Sequence, residues 1–138
     1  MTENLGPRGR FIGVPAYSSL DDLVFVTDPG PEVDPFVHGV VALRPTTRCR
    51  LRLAWERRAG MNGTSSVSSP TVAGRVLFYG VGARGKVVAF ASGTGRRLWD
   101  SGSALPGAVF AAPSVGNGSL YVSSWDASGG GALTAFRT

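Results

Sequence analysis

One cysteine, one histidine and one lysine in 138 residues leave little material for sited chemistry. Cys49 by itself can form neither an internal disulfide nor a cysteine-based metal site. A Ser-His-Asp triad or a zinc site built on His38 would need convergent partners that the sequence does not announce. No apolar run exceeds five residues, which excludes a transmembrane helix. No stretch of useful length has the helical period either, so the domain is expected to be all-β. Residues 1–10 lack the apolar centre of a secretory signal. The expected compartment is cytoplasmic if Met1 is the natural start, and periplasmic or extracellular if the chain is a fragment of a secreted propeller.

What the chain has instead is glycine, proline and repetition. Its 20 Gly and 9 Pro, with 43% hydrophobic residues and only 17% charged ones, suit a folded protein of short strands and tight turns. One pattern occurs three times: an apolar strand, a turn, then Ala-Leu or Ala-Phe. The first copy is Leu23–Val26, Val40–Leu43 and Trp55; the second is Val76–Tyr79, Val87–Phe90 and Trp99. The third is Leu120–Val122 and Leu133–Phe136, with no Trp in the corresponding place. Leu43 to Phe90 is 47 residues, Phe90 to Phe136 is 46 and Trp55 to Trp99 is 44. A period of this length, with several strands per unit, is the signature of a β-propeller.

The repeat divides the chain into a linking segment (1–13), a first blade (14–58), a second (69–100) and an incomplete third (112–138). The expected architecture is a partial propeller of nearly three four-stranded antiparallel blades in a single domain. Strands two and three of each unit are apolar throughout, as when both faces of a sheet are covered. The outer faces of the first and third blades are therefore expected to be exposed and apolar. Asn117-Gly118 reads as a type I′ hairpin turn. The segment from Asp28 to His38 is an insertion between strands two and three of the first unit, where such repeats vary and function is added.

The net charge of +5 rests on 13 Arg, six of them between Arg44 and Arg58. Their alternation with Cys49, Leu51, Leu53 and Trp55 reads as one solvated basic face of an outer strand, which guards an edge against pairing. Nucleic-acid binding through the same strip ranks last among the partner classes.

Gly80-Val81-Gly82-Ala83-Arg84-Gly85 has the literal spacing of a phosphate loop. The residues after it, Lys86–Phe90, read as a strand and not as the helix a dinucleotide site needs, so a hairpin turn is the better reading. Asp28, Glu32 and Asp34 match no calcium-loop spacing and read as solvated acids. His38 reads as a surface-loop residue. Asn62-Gly63-Thr64 is a sequon in a loop between blades.

The segment Ala89-Phe90-Ala91-Ser92-Gly93-Thr94-Gly95-Arg96-Arg97-Leu98-Trp99 resembles the pattern Ala-x-Asp-x-x-Thr-Gly-x-x-x-Trp of the pyrroloquinoline quinone (PQQ) enzymes and their non-catalytic β-propeller relatives. Ala89, Thr94, Gly95 and Trp99 match; Ala91 stands in place of the Asp. Ser69–Val76 and Ala112–Val115 are similar to the opening of such repeats. Ala42 and Trp55 fit a diverged copy with Arg48-Cys49 where Thr-Gly belongs.

The resemblance implies that the Trp of one blade packs on the Thr-Gly turn region of a neighbour, a structural role carried to Trp99 and Trp55. It implies PQQ and calcium only for a complete quinoprotein. The disulfide between adjacent cysteines found in such enzymes is impossible with one Cys. No residue is assigned a catalytic, cofactor-binding or metal-binding role, and no activity is expected of this chain alone. The expected function is a non-catalytic scaffold or binding module; the alternative is the C-terminal part of a PQQ-dependent alcohol or sugar dehydrogenase. Its expected partners are the remaining blades or another copy of itself.

Overall fold

The computed structural model describes residues 11–29, 36–48, 50–58, 68–82, 85–126 and 128–137. Over these residues the chain forms three antiparallel sheets, each a meander of neighbouring strands. The first contains β1 (Ile12–Ser18), β2 (Leu23–Asp28), β3 (Gly39–Pro45) and β4 (Leu51–Arg58). The second contains β5 (Thr71–Ala73), β6 (Val76–Val81), β7 (Lys86–Ala91) and β8 (Arg97–Asp100). The third contains β9 (Ser114–Gly116), β10 (Ser119–Trp125) and β11 (Gly131–Arg137), with β11 as its edge.

The turns follow from residues that accept positive φ. Asn117 and Gly118, between β9 and β10, both have positive φ, at 50° and 69°, as a type I′ turn requires. β6 and β7 pair antiparallel with Val81 opposite Lys86, so the residues after Gly85 form a strand and not a helix. Gly80 and Gly85 serve close packing: a Cβ on Gly80 would come within 2.5 Å of Val109 Cγ1, and one on Gly85 within 2.3 Å of the Gly107 carbonyl oxygen. The segment that leads to the third sheet runs directly against this pair of strands, and Val109 N–H donates to Gly82 O at 3.1 Å.

Side chains alternate across the strands and so build two separate interfaces. Leu23, Phe25, Val40, Ala42 and Trp55 of the first sheet meet Leu77, Tyr79, Val88 and Phe90 of the second. From the opposite face of the second sheet, Val87 and Phe78 meet Leu120, Val122 and Phe136 of the third, with Leu105 and Val109 from the connecting segment. This is why β6 and β7 are apolar on both sides.

Four expectations need correction. The strip of residues from 48 to 55 does not alternate regularly, because β4 bulges: Ala42 pairs with Trp55 and Leu43 with Leu53, leaving Ala54 as the extra residue. One added residue reverses the side-chain alternation beyond it. Leu51 therefore packs on the outer face of the first sheet, while Trp55 enters the interface with the second. Cys49 lies outside the described residues.

The outer face of the first sheet is exposed only in part: Leu53 and Tyr17 are open, but its middle is covered. Val41 and Leu43 are buried there beneath Phe36, with Phe11 and Leu51 packed alongside and the Phe11 and Phe36 rings 5.4 Å apart. Phe36, at the end of the Asp28–His38 insertion, thus covers part of the face that the repeat alone would leave bare. His38, expected on a surface loop, is buried beside it. Asp28, read as a solvated acid, is instead buried at the end of β2, while Glu32 and Asp34 of the same insertion lie outside the described residues, as does the Asn62 sequon. The outer face of the third sheet remains open, with Leu133 75% exposed and Tyr121 38% exposed.

Candidate inter-sheet docking site

The fourth strands carry the feature that the two complete sheets share. In β8, as in β4, a bulge precedes the tryptophan: Ala89 pairs with Trp99 and Phe90 with Arg97, leaving Leu98 as the extra residue. The repeated Ala-Leu and Ala-Phe pairs of β3 and β7 are the positions opposite those bulges. Bulges re-aim side chains, and here each one turns an indole toward the next sheet.

Trp55 is seated. Its ring is buried, 5.7 Å from that of Phe25, and its Nε1–H donates to the Ser92 carbonyl at 2.9 Å. Gly95, at φ +67°, lies directly beneath it, and a Cβ there would come within 2.7 Å of the indole. The turn is held from within by Gly95 N–H donating to Ala91 O at 2.7 Å. Thr94 itself is exposed, and its carbonyl accepts from Arg57 Nη2 at 3.2 Å. Arg57 Nε also donates to Gly95 O at 2.9 Å, and its guanidinium carbon lies 5.9 Å from the centre of the Trp55 ring.

Trp99 has a different setting. It is 38% exposed and meets Phe136 of the third sheet edge to face, with ring centroids 5.2 Å apart. Ala89, opposite it in β7, is buried. Among the described residues no Thr-Gly turn lies beneath Trp99. A cleft of about 660 Å³ opens there between the second and third sheets, lined by Phe78, Ala89, Leu98, Trp99, Leu120 and Phe136 among others.

Sequence reasoning missed a second contact between the first two sheets, centred on Asp21 in the β1–β2 turn. Its side chain is only 6% exposed. It accepts from Ser92 Oγ, from Ser18 Oγ at 3.0 Å and from Arg75 Nη1 at 2.9 Å. Arg44 Nη1 donates to the backbone carbonyl of the same residue at 3.1 Å. An acid in a Ser-Ser-Leu-Asp-Asp turn looks solvated in sequence; the one available signal was the serine run that supplies Ser18. Ser92 is the meeting point, because its carbonyl takes the indole and its hydroxyl the carboxylate.

This arrangement joins sheets; it does not collect reactive groups. Among the described residues no three His, Cys, Asp or Glu side chains converge on one point. No helix among them is long and apolar enough to cross a membrane.

A europium-containing methanol dehydrogenase has a similar solved structure, with a TM-score of 0.69 at 19% sequence identity. The likeness is one of fold. It extends over 95% of this chain but only 24% of the dehydrogenase chain, so the present chain spans about a quarter of that structure. No protein-family model matches the sequence, and the search of curated proteins gave no significant match. The three sheets thus share the fold of part of that dehydrogenase, a propeller-like stack of antiparallel sheets, and among the described residues they do not close into a ring.

Proposed function

We propose that the chain is a non-catalytic segment of a quinoprotein-like β-propeller, a scaffold whose sheets stack on one another and on the remaining blades. The observation that supports this most is the seat of Trp55 on the Ser92–Gly95 turn, because it commits the shared motif to holding sheets together. In this reading Trp55, Ala89, Thr94, Gly95 and Trp99 are blade-docking residues and none of them touches a substrate. The partners are further propeller blades or another copy of the chain, and a separate protein partner fits the same scaffold role.

PQQ and calcium enter the proposal only for a complete quinoprotein. The cleft beneath Trp99 does not fit the metal ion: apart from Ser119 and Arg137 its lining is apolar or glycine, and it offers no carboxylate.

The second reading is that the chain is the C-terminal part of a PQQ-dependent alcohol or sugar dehydrogenase. The methanol dehydrogenase of similar fold favours it. Alcohol-dependent dye reduction, measured on the full assembly of this chain with its remaining blades and with added PQQ and calcium, tests the two. The scaffold reading expects none above a protein-free control; sustained reduction would overturn it and support the second.

A further inference from the structure

Charge in this molecule sorts by strand end rather than by strand. In an antiparallel meander the first and third connections lie at one end of the sheet and the second at the other. The first kind is β1–β2, β3–β4, β5–β6, β7–β8 and β9–β10; the second is β2–β3, β6–β7 and β10–β11. Hydrogen bonds tie the first kind into one rim. Asp21 of the β1–β2 turn accepts from Arg75, which lies between β5 and β6, and from Ser92, which lies between β7 and β8. Arg137, at the end of β11, pairs opposite Ser119 and so stands beside the β9–β10 turn.

That rim is basic. The first sheet supplies Arg44, Arg48, Arg50 and Arg52, all exposed, with Arg44 directly opposite Arg52. The second supplies Arg75 and Arg96, also exposed. Among the described residues the acids that face them are Asp21, whose carboxylate already accepts from Arg75, and Asp22. Arg44 is held by the Asp21 carbonyl, and Arg57 reaches the same rim to bond the carbonyls of Thr94 and Gly95. A carbonyl orients a guanidinium without neutralising it and leaves other N–H donors unspent. The opposite end is mixed: Asp28, Asp100 and Asp126 stand there with Lys86 and Arg58.

Two apolar side chains interrupt the charge. Leu20 is 58% exposed in the β1–β2 turn, and Tyr17 at the base of that turn is 57% exposed. A phosphodiester backbone offers Leu20 nothing, whereas the boundary between lipid headgroups and acyl chains accepts leucine, a tyrosine ring and guanidinium groups together. The short turns project no helix or ribbon of the kind that enters a nucleic-acid groove. The sheets stack through their faces, so this rim stays accessible whatever lies against either end of the stack.

We infer that this rim is a peripheral binding surface for anionic lipid bilayers, with the arginines on headgroup phosphates and Leu20 at the acyl boundary. The surface is separate from the seat of Trp55 and does not depend on whether the chain serves as a scaffold or as part of a dehydrogenase.

The test is co-sedimentation of the full chain with extruded vesicles, of phosphatidylcholine alone or of phosphatidylcholine mixed with phosphatidylserine, at low ionic strength. The chain should pellet with the mixed vesicles, stay in solution with phosphatidylcholine alone, and be released by added salt. Arg48→Gln combined with Arg50→Gln should weaken binding about twentyfold, at about fivefold for each charge. Leu20→Ser should weaken it about tenfold. Lys86→Gln, at the opposite end, should bind as the unaltered chain does. The substituted arginines and Leu20 are exposed, and unchanged circular dichroism confirms that each variant keeps its fold. Failure to pellet with the mixed vesicles, equal pelleting with both kinds, full affinity in the double arginine variant, or an equal loss in Lys86→Gln would overturn the inference. So would vesicle binding that ignores Leu20→Ser, or tighter binding to duplex DNA than to the mixed vesicles, because either would make the rim a general polyanion surface.

Discussion

The Trp55 indole and Gly95 occupy the same small volume on opposite sides of the first sheet interface: the ring lies where a Cβ on residue 95 would be, 2.7 Å from that position. Neither residue can be altered without disturbing the other's sheet. The stacking of the two complete sheets turns on this pair and on the hydrogen bond from the same indole to Ser92.

The two tryptophans should therefore differ in their contribution to stability. Trp55→Ala removes a buried ring and is expected to cost about 3–5 kcal/mol in denaturant unfolding. Trp99→Ala removes a ring that is already 38% exposed and should cost clearly less. Chemical denaturation followed by circular dichroism checks the order; equal costs would count against the difference between the two interfaces.

Glycine substitutions should separate backbone strain from contact. Gly74 and Gly95 both have positive φ, but nothing lies within 4 Å of a Cβ added at Gly74. Gly74→Ala should lose about 1–2 kcal/mol, the cost of the left-handed backbone alone. Gly95→Ala should lose that and a further about 1–3 kcal/mol from overpacking against Trp55. In a Trp55→Leu background the extra loss should shrink.

Much of the fold was legible in the sequence, and the reasons are local. The near-continuous apolar runs at Val76–Tyr79 and Val87–Phe90 marked strands covered on both faces, and Asn117-Gly118 marked a turn that few other residue pairs can make. The bulges at Ala54 and Leu98 were not legible. A bulge is a relation between two strands, and the regular spacing of Arg48, Arg50 and Arg52 concealed it. The partial cover of the first sheet was hidden for a similar reason: Phe11 and Phe36 are far apart in sequence and meet only because β1 and the insertion approach the same face. Asp21 was overlooked because a carboxylate in a turn gives no local sign that Ser92, 71 residues away, will meet it.

Asp21 supplies the third prediction. Asp21→Ala removes a carboxylate that accepts from Ser92, Ser18 and Arg75, two of which come from the second sheet. Hydrogen bonds to a charged group make an expected loss of about 2–3 kcal/mol, discounted toward the lower figure because Arg75 is 70% exposed. Arg75→Ala should therefore cost much less than Asp21→Ala, and Ser92→Ala should fall between them. Denaturant unfolding of the three variants checks this order.

The acid limb of stability should report the loops after β8 and β10. Asp100 lies below its usual carboxylate range chiefly through the Gly102 backbone N–H, helped by Arg97 and Lys86. Asp126 is lowered by the Ser128 hydroxyl and by the Gly130 and Ser128 backbone N–H groups. A folded-state value below the unfolded one gives stability that is present above the unfolded value and lost as pH falls through the folded one. Stability should therefore decline on acidification below about pH 4. Asp126→Asn and Asp100→Asn should each flatten that decline in thermal unfolding scans, with little effect on its slope near pH 7.

The central claim is that the tryptophan of one sheet sits on the glycine turn of the next, and nuclear magnetic resonance can read this contact directly at Gly95. The account predicts a Gly95 Hα resonance displaced well upfield by the indole ring current, which returns to an ordinary position in Trp55→Leu and stays upfield in Trp99→Leu. An undisplaced Gly95 resonance, or one that ignores the loss of Trp55, would contradict it.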